Sequence, residues 1–343
     1  MPGPRVLVTG ASGLLGACIV ERLRARNVTM RLLDMVPPPD DRAAGAEFVQ
    51  VDLREAAAVE RACRDVEVVY HLAAGQRMKP QFGGMSEQAI FDMNLAAVRH
   101  VLDAARACGA RKVVHISSSG VYGIPQTTPV GEDHPQHPLG AYGHSKIAAE
   151  TLCREAAENG LDVTMLRPMS MFGPGMTGVF LLLFEWVRLG KNVYLLGAGR
   201  NRVQMVSAWD VADACLLAAE RPESRGAVLN LGAAEVPTVR GQVEALIAHA
   251  GTGSRIVAFP AALVRNAGRV LNVVKLSPIV PEHYLLADST FVLDLTAARR
   301  VLGWEPAYSN VRMTTEAYDW YCRNLAHVRS EPGLVMRMLN ALS

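Results

Sequence analysis

Three glycines spaced three apart follow directly on an apolar run near the start of the chain, in Val6-Leu7-Val8-Thr9-Gly10-Ala11-Ser12-Gly13-Leu14-Leu15-Gly16. A strand running through a glycine turn into the opening of a helix leaves few architectures open. Without Cβ atoms, Gly10 permits a tight turn, Gly13 lets backbone approach a pyrophosphate, and Gly16 lets helix and strand pack closely. The helix N-terminus adds N–H donors and positive partial charge. Gly10, Ser12, Gly13, Leu14, Leu15 and Gly16 are therefore the expected phosphate cradle, although the spacing does not match G-x-G-x-x-G literally.

The rest of the first half continues the alternation. Strands are expected at Arg5 to Thr9, Thr29 to Asp34, Glu47 to Val51, Val66 to His71, Lys112 to Ser117 and Asp162 to Arg167. Helices are expected at Leu14 to Arg26, Glu55 to Arg64, Ile90 to Cys108 and Ala141 to Asn159, each with apolar residues recurring at three and four. Such βαβ order implies an α/β fold, with a parallel sheet covered on both faces. Beyond about residue 170 the pattern loosens into Gly- and Pro-rich loops such as 172–175, 196–199 and 276–278. The expected organisation is a nucleotide-binding domain over 1–170, with contributions from about 205–235, and a smaller irregular α+β lobe over 171–343 on the substrate side.

Composition excludes several classes of function. Lys and Arg number 35 against 33 Asp and Glu, for a net charge of +2, and no block of like charge marks a nucleic-acid arm. Cys18, Cys63, Cys108, Cys153, Cys215 and Cys322 are scattered without C-x-x-C pairs, which argues against a metal site and for buried thiols in a reducing compartment. The apolar run before Gly10 is too short for a signal peptide, and that near Val179 to Phe184 is far below a membrane span. A soluble cytoplasmic protein is expected, with neither nucleic acid nor membrane as partner.

Asp34 ends the second strand, 18 residues beyond Gly16. A carboxylate there accepts the hydroxyls of an adenosine ribose and repels a 2′-phosphate, so NAD is expected rather than NADP. Asp52 and Leu53 follow the third strand, where they are placed to meet the adenine edge. Leu72, Ala73 and Ala74 follow His71 with small side chains that leave room for a dinucleotide.

At the opening of a helix, Tyr142-Gly143-His144-Ser145-Lys146 sets a phenol and an ammonium four residues apart, on one face. A cation beside a phenol favours the phenolate, which makes the pair a candidate general acid/base. Ile116-Ser117-Ser118-Ser119 closes the fifth strand, beyond whose carboxyl end ligands of open parallel sheets bind.

The segments T-G-A-S-G-L-L-G, D-L at Asp52, H-L-A-A, S-S-S-G-V-Y-G, Y-G-H-S-K, L-R-P-M-S-M-F-G-P-G and L-G-W-E-P occur in one order across nearly the whole chain. Together they resemble an extended short-chain dehydrogenase/reductase of the nucleotide-sugar epimerase/dehydratase branch, with a Rossmann-type doubly wound parallel sheet. The resemblance implies that Tyr142 moves a proton on or off a substrate hydroxyl. Lys146 would bind the nicotinamide ribose, and Ser118, four residues before Tyr122, would hydrogen-bond the same substrate oxygen. Ser119 takes that place if the register slips by one. Ser117, Pro168 and Met169 would join the cofactor contacts, and Asn94 would order the Lys146 region. The helices over 90–108 and 141–159 resemble those through which relatives form homodimers. His115 is expected to be a satisfied structural histidine and Trp209 a packing residue.

Dehydrating relatives resemble T-D-E-V-Y-G where this chain has Ser118-Ser119-Gly120, and decarboxylating relatives carry a glutamate there. Without those carboxylates, dehydration and decarboxylation lack proton carriers. Epimerisation through a transient keto intermediate is the favoured reaction. Net oxidation or reduction of a sugar, sterol-like or flavonoid-like carbonyl is the alternative, and a non-catalytic dinucleotide sensor is the third reading. Ser170 stands where relatives commonly have Asn, and Val203 where many carry an arginine for a diphosphate. Arg202 and Gln204 are the candidate substitutes, with Arg200 beside them, or they are solvated loop residues. No arginine is found near Ala287-Asp288 to complete a diphosphate clamp, so an unphosphorylated substrate stays open. The segment from Gly75 to Gln88 is either a substrate loop or an ordinary connection.

Overall fold

Valine- and leucine-rich runs decide the centre of the molecule. In β1 (Arg5–Thr9), Val6 and Val8 face one apolar cluster while Leu7 faces another. A strand buried on both sides belongs in a parallel sheet between two helical layers. The computed structural model describes residues 5–38, 40–75, 84–173, 180–260 and 289–330.

After β1 come α1 (Leu14–Ala25), β2 (Thr29–Asp34), α2 (Asp40–Ala43), β3 (Glu47–Gln50), α3 (Ala56–Cys63), β4 (Val68–His71), α4 (Glu87–Ala107), β5 (Lys112–Ile116), α5 (Ala141–Glu158) and β6 (Val163–Pro168). Next are β7 (Met171–Phe172), α6 (Phe180–Arg188), β8 (Val193–Leu196), β9 (Val206–Ser207), α7 (Ala208–Glu220), β10 (Val228–Leu231), α8 (Val239–Ala250) and β11 (Ile256–Phe259). Three helices close the described chain: α9 (Thr296–Leu302), α10 (Asn310–Arg323) and α11 (Leu325–Ser330).

Seven strands form the main sheet in the order β10-β6-β5-β4-β1-β2-β3, and every neighbour pair is parallel. The strand order reverses beside β1, so a crevice opens between the carboxyl ends of β1 and β4, where this architecture takes its ligand. Helices α1 and α7 cover one face with Leu15, Ile19, Leu23, Val211 and Cys215; helices α3, α4 and α5 cover the other with Val59, Val101, Ala149 and Cys153. The short parallel pairs β8–β11 and β7–β9 lie in the C-terminal half. A third cluster there gathers Phe172, Phe184, Leu246, Met313 and Tyr321.

The expected strands and helices are present with small shifts that have local causes. Helix α4 starts three residues before Ile90 because Ser86 caps it, accepting from the Ala89 N–H. Strand β4 starts at Val68 because Asp65 takes a left-handed turn (φ 61°) and the Val66 N–H closes back on the Cys63 carbonyl. Strand β10 was not among the expected strands: its run Val-Leu-Asn-Leu is short, and buried Asn230 interrupts it. The first core cluster also takes in Phe291, Leu293, Leu295, Ala298, Leu302 and Trp304, from the stretch expected to belong to the substrate side. The loop over 276–278, Val179 and the Ala287-Asp288 pair lie outside the described residues.

Candidate active site

Gly10 turns the chain at the end of β1 with φ +71°, and a Cβ there would sit 2.8 Å from the Ala73 nitrogen. The glycine thus brings the ends of β1 and β4 into contact at the crevice. A Cβ on Gly16 would lie 2.5 Å from the carbonyl oxygens of Gly10 and Ala11, so the first turn of α1 rests directly on the loop. No side chain caps α1, whose N-cap is Gly13, and its first turn holds no acidic residue. That leaves backbone N–H donors facing the crevice, as an anion site requires. Asp34 accepts from the Ser12 N–H (3.0 Å) and the Val36 N–H (3.2 Å), which fixes its carboxylate at the rim of the same crevice.

Several of the expected cofactor residues have their side chains engaged within the fold. Leu15 and Met169 bury their side chains in the first core cluster, and Leu14 packs against Gly173, where a Cβ would lie 3.0 Å from its Cδ1. The Asp52 carboxylate is turned onto Arg54, which donates to both oxygens and holds it below the usual aspartate range. The Leu53 carbonyl is engaged by His100 Nδ1 at 2.8 Å. Leu72, Ala73 and Ala74 are half-buried beyond β4, whereas Pro168 is buried at the end of β6.

The Tyr142 ring lies beside Lys146, whose Nζ is 5.7 Å from the ring centroid. Lys146 is 4% exposed, and its Nζ donates to the Ile116 carbonyl at 2.7 Å, so the ammonium is held at the end of β5. The Tyr142 side chain is half-buried. Asn94 reaches this helix from α4: its Nδ2 donates to Ser145 Oγ (3.3 Å) and to the Gly75 carbonyl (3.1 Å), while its Oδ1 accepts from the Gly75 N–H (2.7 Å). Of the segment from Gly75 to Gln88, residues 76–83 lie outside the described residues.

Ser118 is extended (φ −163°, ψ 148°) and caps a 3-10 turn over Ser119–Val121, its Oγ accepting from the Gly120 N–H at 3.0 Å. Ser119 is 7% exposed. That turn meets the start of α5 through glycines: a Cβ on Gly143 would lie 2.8 Å from the Gly120 carbonyl oxygen and 2.5 Å from Pro138 Cβ. Ser118 and Tyr142 are brought to one end of the sheet by this contact.

Ser117 points elsewhere. Its Oγ donates to Glu150 Oε1 at 2.6 Å and the residue is 1% exposed, so its proton is committed inside the fold. Glu150 is fully buried and receives both Nε and Nη2 of Arg167 at 2.7 Å. Burial alone would raise the Glu150 carboxyl, but the bonds from Arg167 outweigh it and hold the group below the ordinary glutamate range. Arg167 also donates to Tyr122 Oη (2.7 Å) and the Glu132 carbonyl (2.9 Å), and Tyr122 donates to Asn230 Oδ1 (2.7 Å). These residues were absent from the sequence-based site. The available signal was a glutamate one turn beyond Lys146 on the same face, with an arginine ending an apolar strand.

The candidate substrate residues separate. Gln204 is 1% exposed, with Nε2 donating to the Ala233 carbonyl (2.6 Å) and Oε1 accepting from the Leu293 N–H (2.8 Å). Both the nitrogen and the oxygen of its amide are bonded inside the fold, so this expected substrate residue is buried in the core rather than set on a loop surface. Arg202 and Ser170 are exposed. Trp209 packs under the Arg22 guanidinium, 5.0 Å from its ring, as a packing residue would. His115 is buried and stacked on His71 with centroids 5.3 Å apart, but among the described residues neither of its ring nitrogens has a hydrogen-bond partner. The expectation of a satisfied histidine is therefore corrected: burial and the nearby Lys146 cation keep the ring neutral instead.

Comparison with known proteins places this geometry. The model of the NAD dependent epimerase/dehydratase family matches residues 6–232. The Sinorhizobium fredii protein y4nG is 34% identical over 322 residues, spanning 93% of this chain and 79% of that one. UDP-glucose 4-epimerase of Mycolicibacterium smegmatis is 29% identical over 322 residues, spanning 88% of this chain and 93% of that one. The crystal structure of a Thermotoga maritima UDP-glucose 4-epimerase shares the fold, with a TM-score of 0.76 at 24% identity over 94% of this chain and 99% of that one.

NAD is the cofactor of that family, and the residues here fit it. The uncapped start of α1 suits a pyrophosphate, the glycine contacts leave the backbone bare along the crevice, and the Asp34 carboxylate suits ribose hydroxyls. The family match runs through every element that carries the cradle, Asp34, Ser118, Tyr142 and Lys146, and the chain belongs to the NAD-dependent epimerase/dehydratase family of extended short-chain dehydrogenases/reductases.

Proposed function

We propose that this protein epimerises a nucleotide-sugar through a transient keto intermediate, in the manner of a 4-epimerase. The observation that carries the reading is the Tyr142–Lys146 pair on α5, packed through Gly143 onto the turn that Ser118 caps. Ser118-Ser119-Gly120 offers no carboxylate for elimination of water, so proton movement at a carbinol is the chemistry this end of the site supports. The likeness to UDP-glucose 4-epimerases supports a nucleoside diphosphate sugar as substrate.

Gly10, Ser12, Gly13, Gly16, Asp34 and the backbone of Ala73 and Ala74 would hold NAD. When bound it supplies a hydride acceptor and donor for the carbinol carbon. Tyr142 takes the proton of the substrate hydroxyl and returns it to the same oxygen. Ser118 Oγ hydrogen-bonds that oxygen, and Lys146, held by the Ile116 carbonyl, sets its ammonium beside the Tyr142 ring. A homodimer through α4 and α5, and division into a nucleotide domain and a substrate lobe, belong to the same reading.

The test is incubation of the purified protein with UDP-, dTDP- and GDP-sugars. Interconversion of two epimers with no net NADH, abolished in Tyr142→Phe, is the expected result. Accumulation of NADH or consumption of added NADH by a free carbonyl compound would replace epimerisation with net oxidation or reduction.

A further inference from the structure

Two bonds from one helix tie down consecutive residues at the end of β5. Lys146 Nζ donates to the Ile116 carbonyl (2.7 Å), and one turn further along α5 Glu150 Oε1 accepts from Ser117 Oγ (2.6 Å). The Ser117 N–H donates to the Leu166 carbonyl of β6 at 2.7 Å, which grips the same residue from the neighbouring strand. The residue after these is Ser118.

Glu150 is anchored in turn. Arg167 takes both carboxylate oxygens, Arg154 donates to Oε2 at 2.8 Å, and Gln136 Nε2 approaches Oε2 at 3.4 Å from the loop that precedes α5. A buried ion pair is a weak device for stability, since apolar side chains of like volume pack there at equal or lower free energy. An apolar pair has no acceptor for the Ser117 hydroxyl. What the carboxylate adds is directional, charge-assisted hold on one serine.

We propose that Glu150 is a positioning residue of the active site, which through the Ser117 hydroxyl fixes the 116–118 backbone so that Ser118 faces the substrate oxygen and the Ile116 carbonyl meets Lys146. The proposal rests on the catalytic roles given above to Ser118, Tyr142 and Lys146. Neither Glu150 nor Ser117 touches substrate in this arrangement. They act on where Ser118 and Lys146 stand.

The test uses the full chain with bound NAD and compares wild type, Ser117→Ala and Ser117→Thr. With a nucleotide-sugar that wild type turns over, Ser117→Ala is expected to lower kcat by about tenfold or more, the scale on which small misplacements act. KM and NAD affinity stay near the wild-type values, and Ser117→Thr, which keeps the hydroxyl, recovers most of the rate. Amide hydrogen exchange supplies a second readout that needs no substrate: Ser117→Ala is expected to speed exchange over residues 117–122 and 142–146 and to leave α8 unchanged. An unchanged kcat, or a collapse of kcat, KM, NAD affinity and thermal stability together, overturns the proposal. Should wild type turn over no nucleotide-sugar, the proposed function fails and exchange alone decides: local acceleration supports positioning by Glu150, and unchanged exchange overturns it.

Discussion

Gly143 and Gly120 touch backbone to backbone, since a Cβ at position 143 would come within 2.8 Å of the Gly120 carbonyl oxygen. The contact sets the distance between the helix that carries Tyr142 and the turn that Ser118 caps. In Gly143→Ala the added methyl also meets Pro138 Cβ at 2.5 Å, so the start of α5 must lift away. Overpacking of this kind costs about 1–3 kcal/mol. Turnover is expected to fall by about a hundredfold, because a shift near 1 Å between reacting groups has that effect. Steady-state rates and thermal denaturation of the variant check both expectations, and a fully active Gly143→Ala would show that α5 is free to move.

Asp34 accepts from the Ser12 and Val36 N–H groups at the rim of the crevice. Asp34→Ser shortens the acceptor and removes its charge. Hydrogen bonds to a charged group contribute about 1.5–3 kcal/mol, so NAD affinity is expected to fall by about 10- to 100-fold. NADP, no longer repelled, is expected to gain in comparison. Titration of each dinucleotide against the variant and wild type measures the switch; an unchanged preference would remove Asp34 from the recognition of the ribose.

Stability is expected to decline below about pH 6.5 because of His71 and His115. Burial, with the Lys146 charge, lowers His71 from 6.5 to about 3 and His115 in the same direction. Between those values the unfolded chain binds protons that the folded chain does not. Unfolding is favoured as pH falls, and stability is restored as pH rises through 6.5. His71 contributes a slope of about 1.4 kcal/mol per pH unit in that window, and His115 adds to it in the same direction. Replacing His115 by Met removes one imidazole from the buried stack and is expected to flatten the slope measured by denaturant unfolding between pH 4 and 6. An equal slope in the variant would mean that other groups set the acid limit.

Arg167 and Glu150 are expected to behave as a unit. Arg167→Met takes two of its hydrogen bonds from the buried Glu150 carboxylate and leaves it Arg154, Gln136 and Ser117, at a cost of about 3 kcal/mol, the low end for breaking a buried pair. The double replacement Arg167→Met with Glu150→Leu is expected to regain most of that stability, since no buried charge is left alone. Turnover should stay depressed in the double variant because Ser117 has lost its acceptor. Unfolding free energies and kcat of the single and double variants form a cycle that separates the two effects, and recovery of turnover along with stability would count against a positioning role.

The parts of the fold written in local patterns were legible from the residues. Apolar runs of five or six residues marked β1, β2, β5 and β6, and the glycine spacing of Gly10, Gly13 and Gly16 marked the crevice. The Tyr142–Lys146 spacing put both side chains on one helical face, and the structure places them together. What escaped depends on pairing across long stretches of chain. Ser117 meets Glu150 across 33 residues, and Tyr122 meets Asn230 across 108. No periodicity reports such a contact. Gln204 looked like a loop amide because its two partners, Ala233 and Leu293, come from later in the chain. Strand β10 went unseen because Asn230 reads as a turn residue until Tyr122 and Val130 are known to engage its amide.

Phe291, Leu293, Leu295 and Trp304 complete the core beside β10 and α7, and the Trp304 indole donates to the Asp210 carbonyl at 2.9 Å. Asp210 also accepts from the Ala307 and Tyr308 N–H groups. The nucleotide half therefore borrows a wall from the far end of the chain. A protein truncated after residue 235 would expose that face of its sheet, so the half that carries α5 is not an excisable module. Chemical unfolding of the intact chain is accordingly expected to follow one cooperative transition, in which loss of the cofactor site and release of the C-terminal segment coincide.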